Sequence, residues 1–343
     1  MIGTGTAGAD RDRPRTTLGT VRYFVTGATG FIGGAVVRRL RQRGDEVVAL
    51  VREPARARHL FDMGIDLARG DVADRASLLA PMRGVDGVFH LAGWYKVGVD
   101  DPAAAWSTNV DGTRNVLDVM AELAIPAGVY TSTLAVNSDT HGVEVDETYR
   151  FAGRHLSVYD ATKAEAHRIA RARSETGLPL VVVMPGAVYG PDDPSAIGVM
   201  LRQFLRGRLP AVPTGTAFSW AHVEDVADGH LRAMDAGRRG ESYIIAGPTH
   251  TVREALVLAA HVAGRRAPMP LPAAALRSLA PVTGLLGRAL PIPATYTPEG
   301  LRVAAGPTYI GSNAKARAEL GYAPRPLAAG WSQTVLHELA TLS

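Results

Sequence analysis

The sequence contains no cysteine in its 343 residues. This absence excludes disulfide bonds, thiolate metal sites and a cysteine nucleophile, and it agrees with a reducing, cytoplasmic location. The histidines do not cluster at metal-ligand spacing, so we predict no metal site. The first twenty residues have no apolar core of the kind a secretory signal needs, and we expect residues 1–20 to form a disordered extension.

The chain also lacks a long uninterrupted apolar run. Its most apolar stretch, residues 268–293, contains Arg277, Arg288 and several prolines, which argues against a transmembrane segment. The formal net charge is +4, and the arginines are scattered rather than clustered. The composition therefore predicts no nucleic-acid partner, and we expect a small-molecule substrate.

Short apolar strands alternate with helical segments along the first half of the chain. The strand-like segments include residues 21–26, 47–51, 87–91, 128–133 and 180–184. Such alternation predicts an α/β protein with a doubly wound parallel sheet of the Rossmann type. We assign residues 21–190 to a dinucleotide-binding domain. Residues 191–343 form mainly a smaller C-terminal substrate-binding lobe, and segments around 215–246 return to the main domain.

A glycine-rich loop follows the first strand and opens into a helical pattern. It reads Gly27-Ala28-Thr29-Gly30-Phe31-Ile32-Gly33. In a dinucleotide fingerprint the first glycine permits the tight turn, the second lets the backbone approach a pyrophosphate, and the third lets the helix pack on the strand. The helix amides then face the phosphates. A purely structural turn is the alternative, but the strand before and the helix after favour a cofactor site.

The second strand ends in Val51-Arg52, where an NAD site usually offers a carboxylate to the ribose hydroxyls. A guanidinium matches phosphate oxygens bidentately, so Arg52, helped by Arg56 or Arg58, could pair with a 2′-phosphate. This pattern favours NADP(H), with NAD(H) as the alternative. An arginine that is simply solvated at the end of a strand is the structural explanation.

Tyr159 and Lys163 lie four residues apart, so one helical face carries both. An ammonium beside a phenol favours the phenolate and lowers the phenol pKa from about 10, which predicts a proton donor near neutral pH. Lys163 is one of three lysines in the chain, so its choice over arginine is informative. Ser132 and Thr133 end the preceding strand, and a hydroxyl there can hold a substrate oxygen beside the tyrosine.

With five further motifs in order, the chain resembles the extended short-chain dehydrogenases/reductases, the NAD-dependent epimerase/dehydratase family, from Val21 to the C-terminus. The motifs are Gly70-Asp71-Val72, His90-Leu91-Ala92-Gly93, Asn109-Val110-Asp111-Gly112-Thr113, Pro185-Gly186-Ala187-Val188-Tyr189-Gly190-Pro191 and His222-Val223-Glu224-Asp225-Val226-Ala227. The Val51-Arg52 pair and Trp94-Tyr95 resemble the dihydroflavonol-reductase-like and hopanoid-associated epimerase-like branches.

The resemblance implies roles for individual residues. Thr133 completes a catalytic triad with Tyr159 and Lys163, Ser132 is the fallback hydroxyl, and Asn109 supports the lysine. The remaining implied cofactor contacts are to the adenine (Asp71, Val72), along the cofactor (Leu91, Ala92, Gly93), and at the nicotinamide (Pro185 to Val188).

Two departures from the family pattern bear on the substrate. Sugar-nucleotide epimerases carry an Arg-Asp pair that anchors a diphosphate, and here those positions read Phe218-Ser219. Sugar dehydratases carry Asp-Glu after the catalytic threonine, and here the residues are Leu134-Ala135. We therefore expect an uncharged, hydrophobic carbonyl substrate. Its pocket wall is predicted from apolar and aromatic residues, although each of them could equally be core: Trp94, Tyr95, Val136, Tyr189, Met200, Phe204, Phe218 and Trp220.

Three hypotheses follow for the activity. The leading one is an NADPH-dependent carbonyl reductase, an oxidoreductase that also runs in reverse. The second is an epimerase with tightly held NAD. The third is a dinucleotide-binding protein without catalysis, which the intact triad argues against. The resemblance also suggests a homodimer through the helices that hold Asn109 and Tyr159.

Overall fold

The structure is a computed structural model that describes residues 20–95, 102–277, 303 and 305–342. The extension expected over residues 1–20 lies outside the described residues apart from Thr20. Within the described ranges, no helix combines the length and apolar character needed to cross a bilayer.

The described strands and helices continue to alternate through the first half of the chain. The strands are β1 (Arg22–Thr26), β2 (Glu46–Val51), β3 (Asp66–Arg69), β4 (Gly87–His90), β5 (Gly128–Thr131), β6 (Leu180–Pro185), β7 (Ala187–Tyr189), β8 (Ala211–Pro213), β9 (Ala217–His222), β10 (Ser242–Ile245), β11 (Thr249–Thr251), β12 (Met269–Leu271) and β13 (Thr308–Tyr309). The α-helices are α1 (Phe31–Gln42), α2 (Arg58–Asp62), α3 (Arg75–Met82), α4 (Ala103–Trp106), α5 (Gly112–Glu122), α6 (Val158–Glu175), α7 (Ala196–Leu205), α8 (Val223–Ala236), α9 (Val252–Val262), α10 (Ala273–Arg277), α11 (Ala314–Leu320) and α12 (Leu327–Leu342). Short 3-10 helices cover Pro54–Ala57 and Leu134–Asn137, and a π turn covers Ser107–Asp111.

Seven parallel strands form the central sheet, in the order β10-β6-β5-β4-β1-β2-β3. Helices cover both faces of the sheet. Successive residues of β1 point to opposite faces, so each face contributes side chains to a separate core. Tyr23 and Val25 pack with Val36 of α1 on one face, and Phe24 packs with Val116 of α5 on the other. The predicted doubly wound α/β sheet is confirmed.

The chain reverses its direction of travel across this sheet between β1 and β4. It first runs outward through β2 and β3, then returns to β4 and continues through β5 and β6. Such a switch point is where ligands bind in open α/β sheets, at the carboxyl ends of the strands. The loops after β1 and β4 therefore meet at this position.

A smaller lobe carries its own sheet and its own core. Strand β9 pairs with β11, β13 and β7, and β8 pairs with β12. Helices α7, α9 and α12 supply most of the apolar residues of this core, and strands β7, β8 and β9 add Tyr189, Val212 and Trp220. Between residues 215 and 246 the chain divides its contribution: β9 lies in the smaller sheet, α8 packs on the central sheet, and β10 forms its edge.

Candidate active site

The glycine-rich loop turns sharply at the end of β1. Gly27 has φ +74°, and a Cβ there would lie 2.6 Å from the backbone nitrogen of Ala92. A Cβ on Gly33 would lie 2.0 Å from the carbonyl oxygen of Gly27. Contacts this short exclude any side chain at either position, so the turn, the helix and the loop after β4 pack backbone against backbone.

The first turn of α1 leaves its amides available to a ligand. Gly30 precedes the helix with no side-chain cap, and no acidic residue lies in the first turn. The amide of Gly30 closes the turn on the carbonyl of Gly27 at 2.9 Å, and Thr29 is exposed beside it. With Phe31 and Ile32 starting the helix, this cradle fits the pyrophosphate of a dinucleotide.

Arg52 follows the last residue of β2 and is exposed. In the described part of the chain, neither Arg52 nor Arg69, which ends β3 in register with Val51, forms an ion pair. Arg56 pairs with Glu53 at 3.5 Å, and Arg58 starts α2. Positive charge therefore collects at the carboxyl ends of β2 and β3.

Asp71 and Val72 follow β3 at the same edge. The Asp71 carboxylate accepts from the amide of Ala73 at 2.9 Å. Val72 is buried under α5, because a Cβ on Gly112 would lie 2.6 Å from its side chain. The carboxylate thus shapes the turn, and Gly112 lets α5 approach Val72 closely.

The loop after β4 is fixed by Asn109. The Asn109 Oδ1 atom accepts from the amide of Trp94 at 2.7 Å, and Nδ2 donates to the Trp94 carbonyl at 3.0 Å. Nδ2 also donates to the hydroxyl of Thr162, the neighbour of Lys163 on α6. Between these groups lies Gly93, whose Cβ would be 3.3 Å from Asn109 Oδ1 and 3.9 Å from Lys163 Nζ. Asn109 therefore joins the loop to the helix that holds the lysine.

Tyr159, Lys163 and Thr133 converge at this point. Tyr159 and Lys163 lie on α6, and Thr133 precedes the 3-10 helix after β5. A hydrogen bond from the Thr133 side chain lowers the pKa of the Tyr159 phenol, but burial outweighs it and raises that pKa to about 12. The expected lowering of the phenol pKa is therefore wrong for the protein alone.

The reason lies in the position of the lysine. Lys163 is only 5 % exposed, and its Nζ donates to the Thr131 carbonyl at 2.7 Å and to the Tyr130 hydroxyl at 3.1 Å. Burial lowers the Lys163 pKa to about 7. The ammonium is thus directed at the end of β5 and not at the Tyr159 phenol, which the i, i+4 spacing could not reveal.

Comparison with known proteins identifies the family of this chain. The model of the NAD dependent epimerase/dehydratase family matches residues 23–246. The chain belongs to this family, the extended short-chain dehydrogenases/reductases. It is 35% identical over 254 residues to a putative dihydroflavonol 4-reductase of Synechocystis sp., covering 72% of this chain and 74% of the relative.

Other members of the family match over most of their length. A 4-hydroxy-2-methyl-3-oxo-4-farnesyl-3,4-dihydroquinoline-1-oxide ketoreductase of Stigmatella aurantiaca is 33% identical, with 89% of this chain and 92% of the relative covered. The crystal structure of gox2253 superposes with a TM-score of 0.82 at 32% identity, covering 94% of this chain and 99% of that chain. The chain is thus placed among the oxidoreductases of the extended short-chain family, whose family model is described as NAD dependent.

In this member of the extended short-chain family, the two candidate hydroxyls after β5 have different neighbours. Ser132 Oγ lies 2.8 Å from Nδ1 of His167, whereas Thr133 faces Tyr159. His167 was not singled out from the sequence, although it lies one helical turn beyond Lys163. The structure thus favours Thr133 over Ser132 beside the tyrosine.

The predicted pocket wall divides into two groups. Tyr189, Phe204 and Trp220 are buried in the core of the smaller lobe. The Tyr189 ring lies edge-on to Trp220 at 6.1 Å between centroids and to Trp331 at 5.2 Å. Their assignment to the pocket is therefore corrected: large aromatic rings in this lobe fill its interior.

The other members lie elsewhere. Phe218 stacks on Tyr309 and Met200 packs on the smaller core. Val136 lies in the 3-10 helix that starts after Thr133, and Trp94 and Tyr95 follow Gly93, with Tyr95 53% exposed.

The segment expected at the nicotinamide links the two sheets. Pro185 ends β6 in the central sheet, and Val188 lies in β7, opposite Ala221 of β9. Gly186 allows this transition, since a Cβ there would lie 2.0 Å from the carbonyl oxygen of Ser219. The segment thus runs from the central sheet into the smaller lobe.

Proposed function

We propose that the protein is an NADPH-dependent carbonyl reductase that acts on an uncharged, hydrophobic ketone or aldehyde, and on the corresponding alcohol in reverse. The observation that carries the proposal is the meeting of Thr133, Tyr159 and Lys163 beside the loop fixed by Asn109. Reductases among the relatives support the reaction type.

The cradle at the start of α1 would hold the pyrophosphate, and Lys163 would hold the ribose. When bound, the nicotinamide supplies a hydride to the carbonyl carbon. Tyr159 gives its phenolic proton to the carbonyl oxygen, and Thr133 donates a hydrogen bond to the same oxygen. The hydrogen bond from Thr133 favours the phenolate left behind, which regains its proton from solvent.

The preference for NADPH rests on charge at the ends of β2 and β3. Arg52 is exposed, no carboxylate follows β2 directly, and Arg69 ends the adjacent strand. A guanidinium in this position pairs with the 2′-phosphate of NADP(H), where a carboxylate would repel it.

The proposal of an apolar substrate is supported by two positions, Phe218 and Ser219, at which sugar-nucleotide epimerases carry a charged Arg-Asp pair. Phe218 stacks on Tyr309, and Ser219 is fully buried with its hydroxyl bonded to the Gly311 carbonyl at 3.2 Å and near the Thr249 hydroxyl at 3.0 Å. Neither side chain offers a positive group to a diphosphate. Trp94 and Tyr95 form the proposed apolar wall beside Gly93, whereas Val136 is 8% exposed and packs in the core of the central sheet.

The test is oxidation of NADPH, and separately NADH, followed by absorbance with aryl ketones, medium-chain aldehydes and a UDP-sugar. We expect turnover of the apolar carbonyls with NADPH, abolished in Tyr159→Phe. Tyr243→Phe is the matched control, because its hydroxyl bonds Glu319 outside the site. Release of NAD from the denatured protein, with conversion of the UDP-sugar and no consumption of NADPH, would replace the reductase with an epimerase.

A further inference from the structure

A histidine at the end of β4 lies at the centre of a buried hydrogen-bond network. His90 is 1% exposed. Its Nδ1 lies 2.7 Å from the hydroxyl of Thr26 on β1, and its Nε2 lies 3.0 Å from the hydroxyl of Thr113 on α5. His90 touches none of the triad residues through a hydrogen bond, so the reaction described above leaves it without a role.

The donor and the acceptor of each hydrogen bond in this network can be assigned by starting from its ends. The Thr113 hydroxyl donates to the Asn109 carbonyl at 2.6 Å, so it accepts from His90, and Nε2 carries the imidazole proton. Nδ1 is then an acceptor, and the Thr26 hydroxyl donates a hydrogen bond to it. Thr26 in turn accepts from the amide of Ala92 at 3.1 Å. Burial lowers the His90 pKa to about 3, which keeps the ring neutral.

The π turn explains why Thr113 is needed. The amide of Gly112 donates to the carbonyl of Ser107, five residues back. A π turn interrupts the regular i to i−4 ladder of a helix. The Thr113 side chain supplies a donor to the Asn109 carbonyl inside this irregular segment.

Both ends of this hydrogen-bonded network reach the same four-residue loop, Leu91–Trp94. One end is Thr26, which accepts from the amide of Ala92. The other end is Asn109, whose side chain bonds both the amide and the carbonyl of Trp94. His90 joins the two ends, so the loop is held at both ends by one continuous set of bonds.

We propose that His90 is a positioning residue that sets the loop Leu91–Trp94 for dinucleotide binding, by joining Thr26 to Thr113 and Asn109. The proposal rests on the proposed function in one respect, because it takes this loop to contact the cofactor. The network acts as a unit, since loss of either hydroxyl leaves the imidazole without one of its two partners.

The experiment measures the Kd for NADPH and for NADH by titration calorimetry, together with the melting temperature without cofactor. The variants are Thr26→Val, Thr113→Val and the double variant, which keep side-chain shape and remove one or both hydroxyls. The matched control is Thr140→Val, which removes a buried hydroxyl bonded to the Thr308 carbonyl at 3.1 Å. His90→Phe provides the direct test if it folds.

We expect each single variant to raise the Kd about 5- to 10-fold, and the double variant to raise it no further than the weaker-binding single one. Thr140→Val should lower the melting temperature without changing the Kd. Unchanged Kd values in both single variants, or strictly multiplicative effects in the double variant, would overturn the proposal.

The same titrations separate this proposal from the reductase function. If the wild-type protein binds neither dinucleotide, both are wrong. If it binds one but reduces no carbonyl, only the proposed function is wrong. If it binds and reduces while the threonine variants match the wild type in Kd, only the role of His90 is wrong.

Discussion

The central sheet and the smaller lobe bury their side chains in different ways. At the carboxyl end of the sheet, hydroxyls meet imidazoles: Thr26 and Thr113 at His90, and Thr131 at His230 with 2.9 Å between Oγ1 and Nε2. In the smaller lobe, large rings meet edge to face, as Trp220 and Trp331 do at 5.3 Å.

The two regions place different requirements on their residues. A hydrogen-bonded pair needs one donor and one acceptor at a set distance, so each position requires a particular residue type. A ring cluster needs volume and shape, which several apolar residues can supply. Changes in the first region should therefore alter binding and catalysis, and changes in the second should alter stability.

The largest expected effect is on stability in the smaller lobe. Trp220→Ala removes a buried ring that contacts Tyr189, Phe218 and Trp331. We expect the free energy of unfolding to fall by about 3–5 kcal/mol in urea titrations, with the dinucleotide Kd of the folded protein unchanged. Trp106→Ala, at a 43% exposed position, is the control. A raised substrate KM at unchanged stability would return Trp220 to the pocket.

The next effect distinguishes the two hydroxyls after β5. We expect Thr133→Ala to lower kcat/KM about 100-fold, because it removes a donor to the reacting oxygen. Ser132→Ala should cost less than about 10-fold, since its hydroxyl is turned toward His167. Steady-state kinetics on both variants check this, and the reverse order of losses would make Ser132 the third member of the triad.

A smaller effect tests whether Arg52 binds the 2′-phosphate of NADPH. Arg52→Gln should raise the KM for NADPH about 10-fold and leave that for NADH within about 2-fold, because one charge-assisted pairing is lost. Arg206→Gln, an exposed arginine at the end of α7, is the control. Equal changes for both cofactors would show that Arg52 does not read the phosphate.

A further effect is a dependence of stability on pH. The folded Lys163 has a pKa of about 7 and the unfolded side chain about 10.5, so the unfolded state binds more protons between these values. Wild-type stability therefore gains from this group as pH rises from 7 to 10.

Lys163→Met should lose that dependence. The melting temperature of the variant minus that of the wild type should become more positive, by roughly a few °C, as pH falls from 10 to 7. A difference that stays constant across this range would mean that the lysine is not buried as a weak base.

Much of the cofactor half could be predicted from the sequence. Gly27 and Gly33 tolerate no side chain, so their spacing carries the geometry of the turn, and alternating apolar strands carry the sheet. The aromatic residues were less informative, because Tyr189 and Trp220 have the same chemistry in a pocket wall as in a core. His167 gave no local signal, and the motif that contains His90 did not reveal its partners, since the partners lie 35 residues away for His167 and 23 or more for His90.

From the sequence alone follow the doubly wound sheet, the glycine-rich turn and the helix that carries Tyr159 and Lys163, because each depends on neighbours within a few residues. Only the tertiary structure decided that Lys163 points to the Thr131 carbonyl, that Thr133 and not Ser132 faces the tyrosine, and that His90 joins β1 to α5. These are contacts between distant segments, and their distances and burial are set by how strands and helices pack against one another.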